Sequence, residues 1–122
     1  MIRSFVRSVI HNATVTHTDA SWPASLRVDA VLLRAAEIAP LEEVEVINLA
    51  TGDRFRTWAE ASGDGNGEVH VHGGLKHPVR TGDIISIVVY GLLHDGQTIG
   101  HRARVVTLDV KNDVVAITEA NP

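Results

Sequence analysis

The stretch IISIVVYGLL, residues 84–93, restricts what this chain can fold into more than any other. Its ten residues are too few for a membrane-spanning helix, which takes about twenty. Its isoleucines and valines favour an extended backbone, and a strand that is apolar on both faces must be covered on both. It is therefore expected to cross the core of a fold made largely of other strands.

Those strands are legible. Broken alternation around Phe5, Val9, Ile10 and Val15, with Thr14 and Thr16, predicts one or two short strands in the first 19 residues. Val44, Val46 and Asn48 share one face of a strand, Thr51-Gly52-Asp53 supplies a turn, and Phe55 to Ala59 return, which makes a hairpin. SGDGNG, residues 62–67, is a loop, and EVHVHGG a short strand ending at two glycines. The tail forms a second hairpin, ARVVTLDV and VVAITEA, turned at Lys111-Asn112-Asp113. One segment changes period. Over residues 29–39, Val31, Leu32, Ala35, Ala36 and Ile38 form a helical stripe, with Asp29 as N-cap and Pro40 closing the helix. The sum is a mostly-β chain, read as one small barrel domain over residues 1–122 with one or two short helices.

Composition narrows the function classes. With 44% hydrophobic and 21% charged residues the chain is globular, and with 4% aromatics its core rests on aliphatic side chains. A chain of 122 residues buries a limited share of its surface, so oligomerisation is expected. A net charge of −4 gives no long-range attraction to nucleic acid or anionic lipid, and neither is expected as a partner. The absence of cysteine removes disulfides, thiolate metal sites and a cysteine nucleophile. MIRSFVRSVIHN has no continuous apolar core of a signal peptide, which points to a cytoplasmic location.

Among candidate sites, His70 and His72 lie two apart on a strand and face one way. His11, His17 and His77 are conceivable third ligands. Neither a carboxylate cluster nor an HExxH spacing accompanies them, so no metal is expected. GDGNG lacks the lysine and helix start of a phosphate loop. RFRTW pairs basic and aromatic residues, a weak sign of nucleic-acid stacking in an acidic chain. Ser25 lies on no GxSxG elbow, and a serine ahead of a helix is most often a cap or loop residue.

Taken together, MIRS at the start, His11 followed by VTH through His17, Ser25 with Asp29, NLATGDRFRT, HGG and TGDIISI follow one order and spacing. In these the whole chain resembles the pyruvoyl-dependent aspartate α-decarboxylases. The resemblance implies a double-psi β-barrel and a homotetramer with active sites between subunits. It implies cleavage between Ala24 and Ser25 into segments 1–24 and 25–122, with Ser25 becoming a pyruvoyl group, the only cofactor. Thr57 then assists the cleavage, Arg54 binds a substrate carboxylate, and His11, Gly73 and Gly74 line the pocket. The pyruvoyl carbonyl condenses with the substrate amine, and the Schiff base accepts electrons as CO2 leaves.

The chain departs from the family at several of these positions. Val9 stands where the family usually has lysine, Trp22 and Trp58 stand for tyrosines, Ala24 for glycine, Ile47 for tryptophan and His72 for asparagine. GLK replaces an alanine-rich run. Val9 removes a cation near the substrate carboxylate, so the substrate is expected to be aspartate or an altered amino acid. Trp58 replaces a phenol proton donor with an indole, and His72 is the residue able to inherit that acid role. Ala24 has less backbone freedom than glycine at the cleavage turn. Three functions follow as alternatives. One is a self-processing decarboxylase. A second is an unprocessed relative using Arg54 with His11 and His72 in another reaction on a carboxylate. The third is a non-catalytic binding or assembly protein.

Overall fold

A computed structural model describes residues 1–21, 24–73 and 79–121. The strands are β1 (Ile2–Thr14), β2 (His17–Asp19), β3 (Ser25–Asp29), β4 (Glu43–Asn48), β5 (Arg54–Ser62), β6 (Val69–His72), β7 (Ile84–His94), β8 (Ala103–Leu108) and β9 (Val114–Ala120). One helix, α1 (Ala30–Ala35), follows β3, and a single 3-10 turn, Asp95–Gln97, follows β7. The strands form one hydrogen-bonded sheet in the order β2-β6-β3-β5-β4-β7-β1-β8-β9. Three neighbours run parallel, β1 with β8, β2 with β6 and β3 with β5. The link between β1 and β2 crosses the fold, with Val15 N–H donating to Asp83 O and Thr16 N–H to Val69 O, both at 2.9 Å. This mostly-β architecture is the expected double-psi β-barrel. Among the described residues, no helix is long and apolar enough to cross a membrane.

The apolar run behaves as its composition requires. Ile85 to Val89 of β7 are buried on both faces, between β4 and β1. Val44, Val46 and Asn48 turn inward together, and both hairpins form. The N-terminal segment differs from expectation, since β1 is one strand of 13 residues. Register shifts at Val6/Ser8 and Ile10/Ala13, with Asn12 at φ 63°, break its alternation without ending the strand.

Helix α1 begins as predicted, with Val31 N–H donating to Asp29 Oδ1 at 2.8 Å. It stops well before Pro40. Glu37 takes a left-handed φ of 57°, Glu37 N–H donates to Arg34 O, and Ile38 N–H donates to Leu33 O. This is a Schellman end, its apolar contact supplied by buried Leu33 and Ile38. The buried stripe accordingly uses Leu32, Leu33, Ala36 and Ile38, while Val31 faces solvent.

Asp29 does more than cap. Its Oδ1 also accepts from Gly65 N–H and its Oδ2 from Gly67 N–H, each at 2.9 Å, so it clasps the 63–68 loop to the end of β3. Its side chain is buried, and replacing it leaves three amides without an acceptor. Asp29→Ala is expected to lower unfolding free energy by about 3 kcal/mol in urea titrations, more than a surface cap alone contributes.

Candidate active site

Three strands converge on Ser25. It opens β3, pairs directly with His72 of antiparallel β6, and is almost wholly buried. His72 pairs in turn with Asp19 of β2, so Asp19, His72 and Ser25 lie level across the sheet. Ser25 Oγ is 3.2 Å from His72 Nδ1, across 47 residues of sequence.

Gly73 follows His72 with φ 108°, a conformation other residues resist. A Cβ built there would lie 2.8 Å from Ala24 Cα and 2.9 Å from Ala24 Cβ, so only glycine lets β6 approach the residue before Ser25. Gly73 N–H donates to Asp19 O at 2.9 Å. On the other side, parallel β5 pairs Ala59 with Leu26. Thr57 thus precedes Ala59 as Ala24 precedes Leu26, at one level. The Thr57 hydroxyl is buried and, among the described residues, has no hydrogen-bond partner. Ala24, Ser25, His72 and Gly73 form one cluster with Thr57 on the strand beside it. Gly74, Trp22, Pro23 and His77 lie outside the described residues.

Arg54 and His11 are elsewhere. On β5, Arg54, Arg56 and Trp58 project outward, opposite to Thr57, with Trp58 level with Ser25. Arg54 is four residues along the strand, roughly 13 Å away. Its row crosses β4 at Ile47 and β7 at Ser86 to reach His11 of β1, whose Nδ1 is 2.9 Å from Ser86 Oγ. That span is roughly 14 Å, so one subunit does not bring Arg54, His11 and Ser25 together. Val9 sits in the next row with Val88 and Val105, an apolar stripe. Trp58 donates its indole N–H to Glu60 Oε1 at 3.3 Å.

Sequence reasoning missed Glu45, whose side chain is 13% exposed and collects three partners. Tyr90 donates its hydroxyl at 2.7 Å, Arg54 approaches to 3.4 Å, and Arg56 Nε lies 3.9 Å from the other oxygen. The hydrogen bond to Glu45 pushes the Tyr90 phenol above its usual range, with burial adding to it. The alternation of Glu43, Glu45 and Ile47 opposite Trp58, Arg56 and Arg54 was the available signal. Nothing local marked Tyr90 or Ser86, which join only through long-range pairing.

His17 stacks on His70 at 4.1 Å between ring centroids, and His70 meets His72 edge-on at 5.6 Å. Among the described residues no group of three or more His, Cys, Asp or Glu could hold a metal ion. His70 Nε2 is 3.4 Å from Glu68 Oε2 but buried without hydrogen-bond geometry. Burial, then the neighbouring His17, hold its pKa below the usual imidazole range, against a smaller opposing pull from Glu68. A depressed imidazole pKa means the unfolded chain binds the proton more readily. Stability from neutral His70 is thus present above about pH 6.5, the unfolded value, and is lost as pH falls through the lower folded value. His70→Gln is expected to flatten the fall in thermal midpoint on acidification, measured by circular dichroism against wild type.

A family model described as aspartate decarboxylase matches residues 1–115. An aspartate 1-decarboxylase of Staphylococcus epidermidis is 34% identical over 115 residues, covering 94% of this chain and 90% of its own length. One from Moorella thermoacetica is 35% identical over 117 residues, covering 96% and 91%.

Proposed function

Because the chain belongs to the aspartate decarboxylase family, and is therefore a carboxy-lyase, we propose that it removes the α-carboxylate of aspartate or a close analogue after cleaving itself between Ala24 and Ser25. The segments are then 1–24 and 25–122, the second beginning with a pyruvoyl group made from Ser25. The observation that carries this reading is the Thr57 hydroxyl, buried without a partner among the described residues and level with Ala24, beside a serine hydrogen-bonded to an imidazole. A threonine side chain buried without a partner is costly, and the oxyanion formed when Ser25 attacks the Ala24 carbonyl would satisfy it. The close approach at Gly73 holds β6 against the residue before Ser25. These residues fit a pyruvoyl, whose carbonyl supplies a sink for the electrons left when a carboxylate departs as CO2.

The remaining residues bind substrate and move protons. Arg54, largely exposed, retains donors beyond those facing Glu45 and receives a carboxylate in the planar geometry that a guanidinium favours. His11, Gly73 and Gly74 complete the substrate contacts. Val9 weakens recognition of a second carboxylate, which favours tolerance of analogues lacking it. The Trp58 indole is not a practical proton donor, so return of the proton to the substrate carbon falls to His72. The location is cytoplasmic in this reading.

Wild type kept warm should resolve by intact mass into two segments, the larger with a carbonyl terminus, while Ser25→Ala stays whole. Thr57→Val, nearly isosteric, should slow cleavage by about a hundredfold. A chain that never cleaves yet releases CO2 from amino acids would rule out the pyruvoyl mechanism. If it neither cleaves nor decarboxylates, carboxylate binding that depends on Arg54 would favour the repurposed relative over a non-catalytic protein.

The distance of Arg54 and His11 from Ser25 within one subunit supports a homotetramer in which a neighbour delivers them. Ser25→Ala and Arg54→Ala chains, each inactive alone, should recover about a quarter of wild-type activity when co-expressed and mixed randomly around a ring. No recovery at any mixing ratio would mean that each subunit works with its own Arg54.

A further inference from the structure

We infer that His72 is the base that takes the proton from the Ser25 hydroxyl during chain cleavage. The inference rests on the self-processing reading above and adds to it the identity of the proton acceptor.

The contact is built by the sheet. Ser25 and His72 are direct partners at the end of the antiparallel ladder, with Leu26 on Val71 behind them, so two backbones fix the 3.2 Å approach. The same dipeptide holds both sides of the scissile bond. His72 meets Ser25 Oγ, and Gly73 packs against Ala24 so closely that no side chain fits between them. Thr57 adds a hydroxyl donor on the neighbouring strand. Nucleophile and base thus meet on β3 and β6, while β5 carries a buried hydroxyl level with Ala24, the residue whose carbonyl is attacked.

The proton balance closes. A neutral His72 with its proton on Nε2 accepts the Ser25 proton at Nδ1, while Oγ bonds to the Ala24 carbonyl carbon. The Ala24–Ser25 C–N bond then breaks, and the imidazolium returns the proton to the Ser25 nitrogen, leaving an ester and a free amine. Loss of the residue 25 Cα proton to water with scission of the Cβ–Oγ bond frees the Ala24 carboxylate and leaves an enamine. The enamine takes a proton back at Cβ to become an imine, and water hydrolyses it, releasing ammonia and leaving the keto group. Among the described residues, Asp19 of β2 lies level with His72 and the His70 ring meets it edge-on at 5.6 Å, with His17, Arg27 and Glu68 acting on His70 beyond it. Burial, the larger influence on His70, lowers its pKa and so disfavours a positive charge on the ring beside His72.

The test follows cleavage of freshly purified full-length chain by intact mass over time. His72→Asn can still accept a hydrogen bond from Ser25 but cannot serve as a base. It should cleave about a hundredfold more slowly or worse, with an unchanged thermal midpoint. His72→Ala should be equally slow and should regain part of its rate when imidazole is added. Cleavage of both variants at the wild-type rate overturns the inference while leaving self-processing intact. So does a slow His72→Ala chain that imidazole leaves slow. Wild type that stays whole overturns the inference together with the reading beneath it.

Discussion

Strand β3 is the constraint on which the rest of the molecule depends. It is only five residues long, yet it is hydrogen-bonded to β5 on one side and β6 on the other. Short strands fray, and this one is fastened at both ends. Asp29 ties its end to α1 and to the 63–68 loop through three backbone amides. Ser25 begins it opposite His72. Leu26 and Val28, fully buried between these ends, set the strand's depth in the core. The bond before Ser25 is therefore presented at the mouth of a rigid element, where a nucleophile can be held close to its target without the freedom of a loop.

How much of this was legible in the sequence depended on range. The core strand β7, both hairpins and the Asp29 cap rest on periodicity and turn chemistry within a dozen residues, and each was readable. The helix end was not, because its stop signal is a glutamate in the left-handed region rather than a glycine, which left Pro40 as the visible candidate. The length of β1 was hidden by two bulges that shift its side chains from face to face. In the site, resemblance supplied Ser25, Thr57, Arg54 and His11 as names. Their placement came only from strand register and long-range contacts, as between His11 and Ser86, 75 residues apart.

Register also explains why the site divides. Side chains alternate along a strand, so Thr57 turns inward while Arg54 and Trp58 turn outward from the same β5. In the proposed reaction, cleavage is local to one chain because it needs only adjacent strands. The proposed carboxylate-binding cation, Arg54, lies on an outward face where Glu45 pairs with it and with Arg56. With 13% of its side chain exposed, Glu45 anchors Arg54 and Arg56 in fixed positions, which lowers the cost of ordering a guanidinium when an anion arrives.

The residues around the bond proposed to break make physical sense as a set. Ala24 in place of glycine narrows the conformations open to the scissile peptide. The retained Gly73 accommodates this alanine, since the space that Ala24 Cβ occupies is the space a side chain at residue 73 would need. His72 compensates chemically: a turn less free to strain the peptide gains more from a nucleophile whose proton has somewhere to go. An asparagine there can orient the hydroxyl, whereas an imidazole can also accept the proton. A glycine kept at one position and an imidazole gained at its neighbour thus face the two sides of one bond, and both reside in the dipeptide that β6 carries to the end of β3.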